Sequence, residues 1–332
     1  MKLLLTEDQI RTRQAYPLDL KIQISLKRIE DWREHHGGLI SVSYSGGKDS
    51  AVLLHLVRSL YPDTPAVFCD TGLEYPEIRH FAMDTPGVVV LRPKMNFHEV
   101  VEKHGWPIVS KRVVQYIYEA GTYQEGSKTW IRRMTGTSSS GKTTALGKIP
   151  NKWMYLVPLV RSGVLKVNYR CCHIMKRGPI QKYVKETGRF PYVGTTAAES
   201  KDRELSWKIF GCNAYDSKNP TSRPLMAWTE QDILQYIKRE GLKIASVYGD
   251  IVEDDEGNLS LTGAKRTGCM FCMFGVHLEH SPNRFERMKK THPKQWDHIT
   301  RYMGGGKVLD ILGVPWGDPD KPTLFDILGV ED

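Results

Sequence analysis

Residues 39–61 limit the fold more than any other stretch. A mostly apolar, β-rich run at 39–45 leads into Ser45-Gly46-Gly47-Lys48-Asp49-Ser50, and a strongly apolar helical run occupies 51–61. An apolar strand without alternation is expected inside a parallel sheet, covered on both faces. Glycines let the backbone turn tightly and approach a ligand. The N–H groups that open the helix then face an anion, aided by the helix dipole. Lys48 adds a point charge. A tight turn with a capping serine would explain the glycines alone. The strand before the loop and the helix after it favour a phosphate loop.

The strand–helix pattern continues along the chain. Residues 20–36 read as a helix with Ile22, Leu26, Ile29 and Trp32 roughly on one face, stopped by Gly37-Gly38. Further strands are expected at 66–70, 88–92 and 192–196, with helices at 74–84 and 179–188. This alternation predicts an α/β fold with a doubly wound parallel sheet, its strand C-termini and their loops on one edge. Residues 121–170 break the pattern, and we expect a mobile basic insertion there. Residues 228–240 return to a helix capped by Thr229, 246–262 suit a hairpin, and 282–303 suit a basic helix. The expected division is a nucleotide-binding core over 1–240 and a C-terminal extension over 241–332. A chain of 332 residues is long enough for two domains.

Hydrophobic residues make up 40% and charged residues 26%, which excludes a disordered, collagenous or coiled-coil chain. No apolar run reaches membrane-spanning length. The opening residues make a poor secretory signal, so a cytoplasmic protein is expected. Net charge is +9 and unevenly spread. Residues 101–190 carry seventeen Lys and Arg against Glu102, Glu119, Glu125 and Glu186. Such a block suits an anionic partner, a nucleotide or a nucleic acid, and suits a plain solvated surface as well. Trp106, Trp130, Trp153 and Tyr155 interleave with it, either to stack on bases or to pack a core.

Six cysteines without a secretory signal point to metal or redox chemistry rather than a disulfide framework. Cys171-Cys172 and Cys269-Met270-Phe271-Cys272 form two clusters; Cys69 and Cys212 stand alone. Four thiolates can hold a [4Fe–4S] cluster or a zinc ion, and adjacent cysteines suit a zinc knuckle badly. His173 and His277 flank the two clusters. Asp70 and Glu74, beside the phosphate loop at a strand end, suit Mg2+ bridging phosphates or contact with a nucleotide. Asp70 also suits a helix cap. Gly136 to Thr143 spells a second phosphate-loop pattern, but that motif needs a buried strand before it and a helix after it. Residues 129–134 make a poor buried strand.

With these residues in hand, Ser45–Ser50 resembles the PP-loop of ATP pyrophosphatases of the adenine-nucleotide α-hydrolase type. Asp70-Thr71-Gly72 with Glu74, Pro76 and Glu77 resembles a second signature of the phosphoadenosine phosphosulfate (PAPS) reductase family. So does Pro224-Leu225 with Trp228 and Asp232-Ile233, followed by Tyr248-Gly249. Gly194 with Glu199, Ser200 and Arg203 resembles the reductases' strand-end signature for the phosphosulfate end of the nucleotide. The resemblance covers roughly residues 35–300. The four cysteines, with Lys176 and Pro179, resemble the cluster site of adenosine phosphosulfate (APS) reductases. The resemblance therefore implies an adenine nucleotide on Ser45, Gly46, Gly47, Lys48, Asp49, Ser50, Asp70, Thr71, Gly72, Glu74, Glu199 and Arg203. It also implies a [4Fe–4S] cluster on Cys171, Cys172, Cys269 and Cys272, and Arg170, Lys176 and Arg177 would sit beside that cluster.

Two departures redirect the expected chemistry. Thr196 stands where the reductases carry an arginine. No cysteine follows Cys272, whereas the reductases use one in a Glu-Cys-Gly tail. The loop keeps the Lys and Ser of ATP users. The resemblance therefore implies ATP with Mg2+, adenylation with pyrophosphate release through Lys48, Asp49 and Asp70, and sulfur transfer. A nucleic acid is one acceptor, and a donor protein or thiol reductant would supply the sulfur. Three alternatives stay open: an APS or PAPS reductase forming sulfite, an ATP-sulfurylase-like subunit, and a non-catalytic nucleotide- or nucleic-acid-binding accessory.

Overall fold

A computed structural model describes residues 3–138, 140–143 and 147–317. The chain divides into two compact units, each made from two stretches: Met1–Pro93 with Lys176–Gly268, and Lys94–Met175 with Cys269–Asp332. The division expected from the sequence lies between residues 240 and 241, and each compact unit joins two separate stretches of chain.

The strands in chain order are β1 (Ile40–Tyr44), β2 (Ala66–Cys69), β3 (Val88–Leu91), β4 (Ile108–Val109), β5 (Phe190–Val193), β6 (Asn213–Ala214), β7 (Thr221–Ser222), β8 (Ile251–Glu253), β9 (Leu259–Leu261) and β10 (Met273–Phe274). In the first unit six of them form one sheet in the order β3-β2-β1-β5-β7-β6. All neighbours are parallel except β6, which runs antiparallel to β7. The order runs outward from β1 to β3 on one side and from β5 on the other. That makes a doubly wound α/β fold whose switch point lies between β1 and β5. Right-handed crossovers then send the two halves' helices to opposite faces.

The helix Lys48–Leu60 is the centre of this unit. Val52, Leu53, Leu54, Leu56 and Val57 are all buried, as its apolar sequence requires. They pack with Trp32 of the helix Leu18–His35, with Val42, Phe68 and Tyr192 of the sheet, and with Trp228. The fourth parallel strand runs over 190–193, shifted toward the N-terminus from the expected 192–196. The residues after it turn into the ligand crevice. β8 and β9 form the hairpin expected near 246–262.

In the second unit β4 pairs in parallel with β10, the two residues that follow Cys272. The expected loop at 121–170 is partly helical. Helices run over Lys128–Thr135 and Leu156–Arg161, with a 3-10 turn at Asn151–Trp153. Ser127 caps the first of them and Gly136, left-handed, ends it. Glycine and serine punctuation, read as loop content, marks the ends of short helices here. Trp106 and Trp153 are buried, so packing accounts for them. Among the described residues no helix is long and apolar enough to cross a membrane.

Candidate functional site

The strand ends of the first unit hold a cavity of about 600 Å3, within the roughly 300–1,000 Å3 usual for small-molecule sites. Its walls include the last residues of β1, β2 and β5 and the loop that follows β1. Two glycines let the loop lie there. Gly46 has φ +72°, and a Cβ on it would sit 2.8 Å from the Ile78 carbonyl oxygen. A Cβ on Gly194, at the end of β5, would sit 2.9 Å from the Asp49 carbonyl oxygen. The chain after β5 therefore presses directly on the phosphate loop.

Hydroxyl groups hold the loop amides. Ser45 N–H donates to Ser50 Oγ at 3.2 Å and Gly47 N–H to Ser45 Oγ at 3.3 Å. Ser50 Oγ donates in turn to the Gly47 carbonyl at 2.8 Å. Lys48 N–H donates to the Tyr248 hydroxyl at 3.1 Å, and Thr267 Oγ1 lies 2.6 Å from that hydroxyl. These oxygens occupy the anion-seeking end of the helix Lys48–Leu60.

Lys48 is only 4% exposed. Its Nζ lies 3.3 Å from Asp49 Oδ2 and 3.2 Å from Glu230 Oε1. Burial alone would lower its pKa, but the Asp49 carboxylate, followed by that of Glu230, outweighs it and holds the ammonium above its ordinary value. A buried cation shared by two carboxylates is placed to exchange them for a phosphate. Lys176, Arg177, Arg203 and Arg266 add positive charge to the same walls.

The other residues singled out from the sequence divide between wall and scaffold. Glu74 lines the cavity; it accepts from the N–H and hydroxyl of Thr71 and pairs with Lys176 at 3.1 Å. Asp70 is turned to Arg79, which makes two hydrogen bonds of 2.9 Å to its carboxylate. Those bonds hold Asp70 below its ordinary pKa against the opposing effect of burial. The next helix, Pro76–Met83, has no side-chain cap and carries Arg79. Asp70, Thr71 and Gly72 are not among the residues that line the cavity. Glu199 and Arg203 line the cavity and form an ion pair one helical turn apart. Thr196 is buried and caps the short turn Ala197–Glu199 in a reciprocal box with Glu199. Thr196 thus has a structural task at the start of that turn. Asp232 and Trp228 are scaffold: Asp232 pairs with buried Lys21 at 2.6 Å, and Trp228 Nε1 donates to Ser25 Oγ.

Glu230, Thr267 and Arg266 escaped the sequence reading. Glu230 opens a helix far along the chain, and no local pattern ties it to Lys48. Lys176 and Arg177, expected beside the cysteines, line the cavity at the strand ends. Helix Lys128–Thr135 precedes the second phosphate-loop pattern where a strand is required; Ser139 and Thr144 to Leu146 lie outside the described residues.

All four clustered cysteines belong to the second unit, and none of them forms a disulfide. Burial above all pushes the Cys272 thiol up, and the neighbouring Cys172 adds to it. These two thiols are therefore close although a hundred positions separate them. The donor chemistry suits an iron–sulfur or zinc site. Among the described residues, however, no three His, Cys, Asp or Glu side chains form a set able to hold a metal ion. Cys212, which stands apart from the two clusters, has its pKa pushed up by burial and stays a thiol near neutral pH. Cys69 is buried at the end of β2 and lines the cavity at the strand ends.

The chain is similar to several known proteins. A PAPS reductase from Candida auris, solved with phosphate, superposes with a TM-score of 0.36 at 15% identity, covering 81% of this chain and 100% of that one. A curated sulfate adenylyltransferase subunit 2 of Hyphomonas neptunium is 24% identical over 210 residues, which is 62% of this chain and 54% of that protein. An uncharacterized protein of Methanocaldococcus jannaschii is 31% identical over 123 residues, 36% of this chain and 30% of that one. The chain thus spans from about a third to about half the length of these curated relatives. The phosphoadenosine phosphosulfate reductase domain matches residues 39–132 and 151–273, well over half of the sequence. The chain therefore belongs to the phosphoadenosine phosphosulfate reductase domain family.

Proposed function

We propose that the first unit binds ATP and transfers its adenylyl group to a substrate oxygen, releasing pyrophosphate. The observation that carries this reading is Lys48, buried at the base of a nucleotide-sized cavity and held between Asp49 and Glu230. The substrate oxygen attacks the α-phosphorus, an oxygen–phosphorus bond forms, and the α–β bridging oxygen leaves with pyrophosphate. Lys48 and the amides of Gly47 and Lys48 stabilise the charge that develops on the phosphates. The hydroxyls of Tyr248 and Ser45 yield those amides as the phosphate arrives. Asp49 and Glu230 are the carboxylates we assign to Mg2+, which supplies charge neutralisation on the phosphates when bound. Asp70, engaged by Arg79, positions the β2 end.

The named activity of the Hyphomonas relative, sulfate adenylyl transfer, breaks the same bond of ATP, which supports this reaction class. The charge of residues 101–190 supports a nucleic acid as acceptor. Cys171, Cys172, Cys269 and Cys272 are the residues we assign to an iron–sulfur cluster, which would supply electron or sulfur chemistry when bound. A thiol or donor protein would provide the sulfur.

The test is pyrophosphate release from ATP and Mg2+ with sulfate or nucleic acid as acceptor. Lys48→Ala and Asp49→Asn are expected to lose roughly a hundredfold or more in rate, the scale seen for removed oxyanion donors. Release that depends on sulfate would assign the adenylyltransferase reading. Sulfite formed from APS or PAPS without ATP turnover would replace the proposal with a reductase. ATP binding without turnover on any acceptor would leave an accessory.

A further inference from the structure

A second cavity, of about 250 Å3, lies wholly within the second unit. Lys103, Lys166 and Arg170 line it, with His104, and no carboxylate does. Neither Lys103 nor Arg170 has an ion-pair partner among the described residues. Burial first, then Lys103 and Arg170, hold the His104 imidazole below its ordinary pKa, as uncompensated positive charge would.

Asn168 supplies an independent observation. It lines the cavity yet is only 4% exposed. Its Oδ1 accepts the Arg170 N–H at 2.7 Å, which fixes the amide orientation. Its Nδ2 is then a buried donor without a partner. A buried donor left unpaired is costly, so an accepting ligand would relieve that cost. The segment is firmly held: Trp106 N–H donates to the Lys166 carbonyl at 2.9 Å and Asn168 N–H to the Trp106 carbonyl at 2.8 Å. Tyr118 and Tyr169 form one wall, ring centroids 5.6 Å apart and tilted by 58°.

We propose that this cavity binds a single nucleoside phosphate unit, free or as one residue of a single strand. The phosphate pairs with Lys103, Lys166 and Arg170. The base lies against Tyr118 and Tyr169, where every base offers a π-face. Asn168 Nδ2 donates to a base or sugar oxygen. The cavity is less than half the size of the one over the strand ends, which suits one phosphate and one ring system. The inference uses residues of the second unit alone and stands apart from the ATP reading.

The test uses the full chain carrying Lys48→Ala, so that binding at the first cavity is suppressed. AMP and a labelled single-stranded pentanucleotide are titrated, with inorganic phosphate as the reference. Lys103→Gln with Lys166→Gln is expected to weaken binding by roughly tenfold or more, and Asn168→Ala by roughly fivefold or more. Arg170 is left in place because it adjoins Cys171. With Lys48 intact, the same variants should keep ATP affinity within about twofold. Bound ligand should raise the His104 pKa, read by NMR, because its charge offsets Lys103 and Arg170. Binding of AMP comparable to that of the strand identifies a free nucleotide; binding of the strand alone identifies a nucleic acid. Binding of neither, binding indifferent to these substitutions, or phosphate bound as tightly as AMP would overturn the proposal.

Discussion

Gly194 and Asp70 show how single residues shape the first cavity without chemistry of their own. Gly194 has no room for a methyl group, since the Asp49 carbonyl would lie 2.9 Å from it. Gly194→Ala should displace the phosphate loop, cost about 1–3 kcal/mol of stability and weaken ATP binding roughly tenfold. Calorimetric titration and a thermal melt check both; an unchanged ATP affinity would refute the contact's role. Asp70 has a depressed pKa because of Arg79. Its contribution is present above the ordinary carboxylate value and is lost as pH falls through the lower folded value. Arg79 is 37% exposed, so solvent screening limits the effect of Asp70→Asn to about 1 kcal/mol at pH 7. Urea unfolding of the two proteins should converge once pH has fallen through the lowered folded-state value of Asp70.

At the scale of elements, the family signature around Trp228 and Asp232 works as a bracket. It ties the helix Leu18–His35 to the helix Glu230–Glu240 through Lys21–Asp232 and Ser25–Trp228. Lys21 is 3% exposed and also donates to the Gln14 carbonyl. Lys21→Ala leaves a buried carboxylate short of its partner and should cost about 3–5 kcal/mol. Lys27→Ala, in the exposed pair with Asp31, should leave stability nearly unchanged. Urea midpoints separate the two; equal shifts would remove the bracket. The elements themselves were unevenly legible. The strand at 40–44, its glycine loop and the helix Lys48–Leu60 were plain because apolar runs and glycine punctuation agree there. β6 and β7, two residues each, are too short to carry a period. The helix Lys128–Thr135 buries no residue, so its hydrophobic spacing was hidden within polar sequence.

For the whole molecule, the second unit collects cysteines from two distant parts of the chain. Four irons per chain with matching sulfide are expected from protein purified without oxygen, as a [4Fe–4S] cluster requires about that many. Cys172→Ser with Cys269→Ser should lose iron, and Cys212→Ser should keep it. Full iron in the double variant would remove the ligand assignment; zinc in its place would replace the cluster. The sequence by itself determined the doubly wound class and the position of the phosphate loop, because both rest on local periodicity and on glycines within a few residues. It also marked the cysteine pairs and the basic stretch, since composition needs no folding to be read. Only the tertiary structure decided that Glu230 and Tyr248 meet Lys48, that Arg79 claims Asp70, and that Asn168 keeps a buried donor among lysines. Those pairings join residues that are distant in sequence or placed by packing, and chain-local pattern carries no information about such contacts.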